Sequence, residues 1–278
     1  MKQNSLLSLT FGNQNLQVLI PDIETLLLPK RYSSFINTRS LCNAPLIVVD
    51  YLEESDRPRD KIKNGWKFQE SNKKSLSYFS DSGILFSIAY EENKTTSFLS
   101  INRNSVLSFI LGIQHAMLVM LAKHCIGVHG VTLICNDQVI ILSAPSGTGK
   151  TTLAKLLKNH HQAAIINGDF ALLSVDEKGV FFEPTPFCGS SSICHSYRLK
   201  IDRIVFLEQS HDNDFINLDA RDSMVKLMNN TFVPSQDKYL SSQIMSSVSN
   251  VVQDVTINRF AFAPTKEAAD IFYSIVTT

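Results

Sequence analysis

The sequence has no surplus of charge of either sign. Among its 278 residues, 26 are Lys or Arg and 26 are Asp or Glu, so the formal net charge is zero. Nucleic acids and anionic membrane surfaces attract proteins through a surplus of positive charge, so we expect neither as a partner. Glycine and proline are also sparse, at 11 and 9 residues, which excludes a collagen-like or low-complexity chain. Any anion-binding site must therefore be local, on an ordinary globular protein.

Cysteine is scarce and odd in number. The five cysteines are widely scattered, at Cys42, Cys125, Cys135, Cys188 and Cys194. The first residues lead into no uninterrupted apolar segment of the signal-peptide kind, so reduced thiols in a cytoplasmic protein are the simplest interpretation. Cys188, Cys194 and His195 could be metal ligands, but the gap between the cysteines fits no common zinc motif and a second ligand pair is missing. We therefore do not expect a metal there.

Long hydrophobic runs are also absent, with one borderline case. The run from Asn104 to Ala122 holds 19 uncharged residues, whereas a membrane-spanning helix needs roughly 20. Gln114 and His115 lie at its middle, where hydrocarbon would penalise both side chains. We predict a buried core helix here and no membrane partner.

Residues 1–103 carry mainly strand patterns and no recognisable motif, so we assign them to a β-rich N-terminal region of unknown role. The polar stretch Glu53–Lys63 lacks apolar periodicity and is interpreted as a solvated loop. Alternating or β-branched runs separated by turn residues predict the strands, which are Ser5–Ile20 (turning at Gly12–Asn15), Ala44–Tyr51, Trp66–Glu70, Ser77–Phe79, Ile84–Tyr90 and Thr96–Ile101.

Residues 104–278 mix both kinds of pattern and are assigned to one α/β domain. The predicted strands are Gly130–Cys135, Gln138–Ser143, Ala163–Ile166, Leu172–Val175, Val180–Phe182 and Arg203–Leu207. The predicted helices are Lys150–His160, Ala220–Met228, Lys238–Val252 and Thr265–Val276.

One motif in this domain is specific. The apolar run Val139–Ser143 leads through Ala144 and Pro145 into Ser146, Gly147, Thr148, Gly149, Lys150, Thr151 and Thr152, which is the strand, loop and helix order of a P-loop. The glycines let backbone N–H groups converge on phosphate, and the helix adds its N-terminal donors. We predict that Ser146 to Thr152 bind the phosphates of a nucleotide. Lys150 would contact the β- and γ-phosphates, and Thr151 would offer its hydroxyl to Mg²⁺. The alternative is a glycine-rich turn that binds nothing, but an exposed Lys150 has no packing rationale there.

Two further residues flank the P-loop in the sequence. Asp169 ends the next apolar strand, where a carboxylate could hold Mg²⁺ or accept a proton from an attacking hydroxyl. A simple turn aspartate beside a glycine is the alternative. His129 precedes the hairpin that leads into the P-loop, where it could be a positive or proton-shuttling imidazole, or simply a hydrogen-bonded core histidine.

These elements together resemble the C-terminal domain of the HPr serine kinase/phosphorylase family. The His-Gly-Val segment at His129, the Gly-Thr-Gly-Lys-Thr-Thr loop and the acid at Asp169 carry the resemblance, which continues through Glu183–Gly189 and Ile204–Gln209. It implies a phosphoenolpyruvate carboxykinase-like P-loop fold, a mixed sheet with flanking helices. It further implies ATP, Mg²⁺ and transfer to a serine of a protein or peptide acceptor, a ribosomally made precursor peptide among the candidates. A homo-oligomer is left open.

The resemblance also implies residue roles and shows departures. His129 matches the family's catalytic histidine, and Asp169 matches the second acid of an Asp-Asp pair that supplies a general base and metal contacts. With Lys150, these are the expected catalytic residues. Gly168 replaces the first acid, and Thr152 stands where the bifunctional enzymes carry Glu. We therefore expect a kinase without phosphorylase activity, and a small-molecule kinase or a non-catalytic nucleotide-binding module stays open.

The segment Cys188–Cys194 is small and polar and is followed by basic residues. It could be a mobile loop over the acceptor site or a plain surface loop, and the two alternatives are left open. Arg198 and Lys200 could likewise reach phosphate or be solvated charges.

Overall fold

The chain divides into two compact units. A computed structural model describes residues 4–21, 30–37, 44–52, 65–70, 73–80, 83–102, 105–234 and 236–277. The first unit comprises Met1–Ala122 with Pro234–Gln243, and the second comprises Lys123–Val233 with Ile244–Thr278. This division differs from the boundary expected between residues 103 and 104, because the apolar segment that follows residue 104 packs within the first unit. The predicted loop Glu53–Lys63 and Cys42 lie outside the described residues.

The first unit contains a mixed sheet whose eight described strands follow the order β3-β1-β2-β4-β8-β7-β6-β5. They are β1 (Asn4–Phe11), β2 (Gln14–Pro21), β3 (Ile36–Asn37), β4 (Leu46–Tyr51), β5 (Gly65–Glu70), β6 (Lys74–Ser80), β7 (Gly83–Tyr90) and β8 (Thr96–Ile101). Strand β4 is parallel to β2 and to β8, and the other described pairs are antiparallel. The predicted strands of this region are confirmed, and burial alternates with a period of two along much of β2, β7 and β8.

The long apolar run forms helix α1 (Val106–Leu121), so the core-helix prediction is confirmed. Ser105 begins the helix and accepts a hydrogen bond from the backbone N–H of Ser108. A Cβ at Gly112 would lie 2.9 Å from the Leu99 Cδ1 atom, so the glycine allows α1 to approach β8 closely. Within the described residues, no helix has both the length and the apolar character needed to cross a membrane.

The second unit contains a mixed sheet with nine described strands. These are β9 (Cys125–Cys135), β10 (Gln138–Ser143), β11 (Ala164–Asn167), β12 (Phe170–Asp176), β13 (Gly179–Glu183), β14 (Leu199–Lys200), β15 (Arg203–Gln209), β16 (Asp214–Asn217) and β17 (Thr256–Phe262). Their order is β14-β13-β12-β9-β10-β15-β17-β16, with β11 also paired to β9. Strand β15 is parallel to β10 and to β17, and the remaining pairs are antiparallel.

The helices of this part of the chain are α2 (Lys150–His161), α3 (Ala220–Asn229), α4 (Lys238–Asp254) and α5 (Lys266–Val276). Leu153 and Leu157 of α2 and Phe272 of α5 are fully buried in one core with strand residues that include Leu142. This packing fixes α2 against the sheet and so fixes the loop between β10 and α2. The fold is thus mixed α/β, and the finer assignment to the carboxykinase-like type stays a prediction.

Candidate functional site

The predicted P-loop connects the end of β10 to the start of α2. Gly147 and Gly149 have φ angles of +82° and +112°, a backbone region that favours glycine. Gly149 is the N-cap residue of α2 and supplies no side-chain hydrogen bond to the first turn. A Cβ at Gly147 would meet open space. The loop therefore presents helix-terminal N–H donors without a side chain that would compete with a phosphate.

Lys150 is buried, so the expectation that it is exposed was wrong. Its side chain folds back over its own loop, and Nζ donates hydrogen bonds to the carbonyl oxygens of Ala144 at 2.7 Å and Pro145 at 3.1 Å. Burial lowers the pKa of Lys150, while the charge of Asp169 acts in the opposite direction. The ammonium thus lies at the base of the loop on two neutral acceptors, which phosphate oxygens could replace.

The sheet places His129 and Asp169 beside each other. His129 lies on β9 opposite Phe170 at the start of β12, and the backbone N–H of Gly130 donates to the Asp169 carbonyl at 2.9 Å. The His129 Nδ1 atom is 3.6 Å from the Asp169 Oδ1 atom, and both side chains are nearly half exposed. The predicted core-histidine alternative therefore does not describe His129.

The electrostatic surroundings of His129 favour a neutral ring. Burial and the charge of Lys150 lower the pKa of His129, and Asp169 only partly offsets them. A permanently positive imidazole, one of the two predicted forms, is therefore disfavoured at neutral pH. Lys150 thus lies near enough to His129 and Asp169 for its charge to act on both.

The remaining predicted residues lie on the surface of the P-loop. Ser146 is exposed in the loop, and Thr151 and Thr152 are exposed in the first turn of α2. The Thr148 hydroxyl donates to the Pro145 carbonyl at 3.0 Å and tightens the loop. The hydroxyl of Thr151 and the carboxylate of Asp169 are oxygen donors of the kind that Mg²⁺ prefers, so this donor set fits the ion.

A serine-rich segment packs directly on the candidate acid. A Cβ at Gly189 would lie 2.7 Å from the Asp169 Cγ atom, and a Cβ at Gly168 would lie 1.9 Å from the Ser191 Oγ atom. The segment is held by backbone hydrogen bonds from Gly168 to Ile193 and from His195 to Ile166. Ser191 thus fills the space that a first acid at position 168 would need.

Arg198 has a structural role that neither predicted alternative describes. Its guanidinium binds Glu183 at 2.9 Å and Asp176 at 2.8 Å, and it lies 3.6 Å from the centre of the Phe181 ring. Burial of the Glu183 side chain makes this ion pair part of the second unit's interior. Arg198 is therefore neither a simply solvated charge nor free to bind phosphate.

A cavity of about 430 Å³ lies at the P-loop and includes residues that the sequence did not single out as site residues. Besides Ser143–Thr148, it is lined by Phe206–Gln209, Lys226 and Asn230. Glu208 ends an apolar strand, which is the same signal that indicated Asp169, and it could have been found in the same way. Lys226 gives no such signal, because its partner is distant in the sequence.

Four of the five cysteines lie in the described residues. Cys125, Cys135 and Cys194 are free thiols, and Cys188 is buried. Over the ranges that the structure describes, no cluster of three or more His, Cys, Asp or Glu side chains is placed to hold a metal ion.

Comparisons with known proteins give little further information. No protein-family model matches this chain, and no curated protein matches it. Among solved structures, the chain is similar to the HPr(Ser) kinase/phosphatase from Coxiella burnetii, with 10% sequence identity and a TM-score of 0.34. The match covers 54% of this chain and 87% of that one. A likeness this low carries no functional conclusion, so the family implied by the motifs stays a prediction.

Proposed function

We propose that the second unit is an ATP-dependent phosphotransferase that passes the γ-phosphoryl group to a hydroxyl. The observation that carries the proposal is the convergence of Lys150, His129 and Asp169 at the end of β10 that bears the P-loop. A glycine-rich turn with only a structural role would not need a buried cation, an imidazole and a half-exposed carboxylate together. Phosphoryl transfer uses these groups, because it depends mainly on positioning and charge neutralisation.

In this proposal, the P-loop holds the phosphates of ATP. Backbone N–H groups of Ser146–Thr152 bind the oxygens, and Lys150 Nζ leaves the carbonyls of Ala144 and Pro145 for the β- and γ-phosphates. Thr151 and Asp169 would hold Mg²⁺, which supplies neutralising charge to the phosphates when it is bound.

Asp169 acts on the acceptor. It takes the proton of the acceptor hydroxyl as the oxygen of that hydroxyl bonds to the γ-phosphorus and the bond to the β-phosphate oxygen breaks. ADP and the phosphate ester are the products. Its exposed carboxylate is open to such a hydroxyl on the side not covered by Gly189. The neutral His129 ring beside it can orient the carboxylate or donate a hydrogen bond to the transferred group.

The nature of the acceptor rests on the sequence alone. The motifs favour a serine of a protein or peptide, a ribosomally made precursor peptide among the candidates, and a cytoplasmic setting is proposed from the scattered cysteines. A kinase for a small molecule would use the same residues.

A non-catalytic nucleotide-binding module is the second candidate. The specific observation in its favour is that Ser191 occupies the space beside Gly168, so the site has one acid where the family has two. Such a module would bind ATP without passing on the phosphoryl group.

The test is incubation with γ-labelled ATP and Mg²⁺ in the presence of candidate serine peptides, followed by mass spectrometry. We expect labelled peptide from the unchanged protein and none from Lys150→Ala. Lys155→Ala is the matched control, because Lys155 is an exposed lysine of the same helix. If the label is found only as free phosphate, the protein is an ATPase and not a kinase. If ATP binds but no label is released or transferred, the non-catalytic module is favoured. Equal transfer by Lys150→Ala would contradict the proposal.

A further inference from the structure

The P-loop cavity has a second wall, formed by the end of β15 and the last turn of α3. Strand β15 runs parallel to β10 with Phe206 opposite Ser143, so both strands end at the same edge of the sheet. Glu208 and Gln209 follow Phe206 directly into the cavity lining. We call Phe206–Gln209, Lys226 and Asn230 the β15–α3 wall.

Lys226 supplies the positive charge of this wall. Among the described residues that line the cavity, it carries the one lysine or arginine side chain, and about a third of that side chain is exposed. Its Nζ donates a hydrogen bond to the Oε1 atom of Glu208. The ammonium is therefore held at the edge of a cavity whose other side is the phosphate-binding loop.

The other oxygen of Glu208 has its own cation. Arg259 Nη1 donates to Glu208 Oε2 at 3.2 Å, and Arg259 also pairs with Asp214. Both cations lower the pKa of Glu208, with the hydrogen bond from Lys226 as the largest effect. Because Arg259 would still pair with Glu208, Lys226 can leave that carboxylate without leaving its half-buried charge unpaired.

The last turn of α3 is fixed relative to the catalytic candidates. The backbone N–H of His129 donates to the Asn230 carbonyl at 3.2 Å, and the Asn230 side chain donates to the Lys226 carbonyl at 2.9 Å. Thr231 then pairs with Val128 as an isolated bridge. The backbone of Lys226 is thus tied to β9, and only its side chain needs to move to reach a ligand in the cavity.

We propose that Lys226 is a second phosphate-binding cation of this site and that Glu208 holds its ammonium when no phosphate is bound. The ligand class is the polyphosphate chain of a nucleoside triphosphate, so the inference rests on the proposed function. When the polyphosphate is bound, Lys226 Nζ exchanges Glu208 for phosphate oxygens, which are stronger acceptors because they carry more charge. Lys226 then approaches the polyphosphate chain from the β15–α3 wall, and Lys150 approaches it from the P-loop.

The test is calorimetric titration of the full chain with Mg-ATP and with inorganic tripolyphosphate. We expect Lys226→Met to weaken both about tenfold to a hundredfold, the loss of one charge-assisted hydrogen bond. Lys226→Arg should recover most of the affinity. Glu208→Gln should raise the affinity, because the carboxylate no longer competes for the ammonium. Lys155→Met removes the same charge outside the cavity and should have little effect.

The proposal expects Lys226→Met and Glu208→Gln to change the affinity in opposite directions, whereas a purely structural ion pair would not. If Lys226→Met and Glu208→Gln weaken binding equally, the pair only supports the fold and the inference is wrong. If Lys226→Met binds as the unchanged protein does, the inference alone fails and the kinase proposal stands. If the unchanged protein binds neither probe, both fail. The unfolding midpoint of each variant shows whether a loss of affinity is due to a loss of structure. If Lys226→Met lowers both the affinity and the midpoint, the result counts against the inference unless Lys226→Arg restores both quantities.

Discussion

Two aspartates, one in each unit, show how differently the same side chain is used. Asp237 in the first unit is 1% exposed and accepts hydrogen bonds from the Tyr90 hydroxyl, from Lys74, and from the backbone N–H groups of Tyr239 and Leu240. Asp169 in the second unit is nearly half exposed, and its closest ionic partner, His129, is 3.6 Å away. One carboxylate is saturated with donors, and the other has oxygen lone pairs open to a ligand.

The number of hydrogen-bond donors on each carboxylate indicates which of the two is available for metal binding or proton transfer. Burial opposes the charge of Asp237, yet the donors from Tyr90, Leu240 and Lys74 hold its pKa below the ordinary value. Such a group is a fixed anion that stabilises the fold, because four donors already bind its two oxygens. A carboxylate with open lone pairs beside a P-loop can instead bind a metal ion or accept a proton.

The largest expected effect is on turnover. Asp169→Asn keeps the size and the backbone contacts of the side chain but removes the base, so phosphoryl transfer should fall by about 10²–10⁴. Binding of ATP should persist, because Lys150 and the P-loop donors are unchanged. Rates of label transfer together with ATP titrations measure both quantities. Full turnover by this variant would contradict the assignment of Asp169 as the general base.

The next largest effect is on the stability of the first unit. Asp237→Ala leaves the Tyr90 hydroxyl and two backbone N–H groups without their acceptor, so the free energy of unfolding should fall by about 3–5 kcal/mol. Asp50→Ala is the control, since Asp50 is an exposed aspartate of the first unit, and it should change stability by about 0.5 kcal/mol or less. Urea denaturation compares them. Equal stabilities for the two variants would show that Asp237 is not a structural anchor.

A smaller effect is expected where Ser191 fills the place of the missing acid. Gly168→Asp would drive its Cβ into the Ser191 hydroxyl, which should cost about 1–3 kcal/mol or displace the serine-rich segment from Asp169. Combining it with Ser191→Gly should recover the stability, and Ser191→Gly alone provides the baseline. Thermal unfolding of the three variants is the measurement. A fully stable single variant would mean that the segment does not press on position 168.

Some features of the fold and of the candidate site could be predicted from the sequence, and others could not. The P-loop, α1 and the β1–β2 hairpin were predictable, because each is encoded in a local period or spacing. Ser191 reaches Gly168, and Lys226 reaches Glu208, only through the folded chain. The burial of Lys150 was likewise hidden, since its partners are the carbonyls of its own loop.

Strand β17 was missed for a related reason. Its apolar run is interrupted by Asn258 and Arg259, which argue against a buried strand when the sequence is considered alone. In the fold, Asn258 is fully buried but hydrogen-bonded to Arg203 and Asn217, while Arg259 pairs with Glu208. Polar residues whose partners are distant in sequence thus hide an interior strand from a prediction based on apolar runs. Strand β16, which pairs with β17, was missed too.

The smallest expected effect is on the titration of His129. Burial and Lys150 lower its pKa and Asp169 raises it, so its NMR titration midpoint should lie below the ordinary value for a histidine. Lys150→Met should move the midpoint up, and Asp169→Asn should move it further down. Shifts in the same direction for both variants would contradict the placement of His129 between the two charges.

The contrast between the two aspartates is tested most directly by one crossed measurement. Release or transfer of label from γ-labelled ATP and the unfolding midpoint are determined on the same preparations of Asp169→Asn and Asp237→Asn. We predict that Asp169→Asn loses turnover and keeps its midpoint. Asp237→Asn should lower the midpoint and, below it, retain turnover. If Asp169→Asn instead turns over ATP at the full rate, or if unfolding is its main effect, the second unit does not use Asp169 as a catalytic residue.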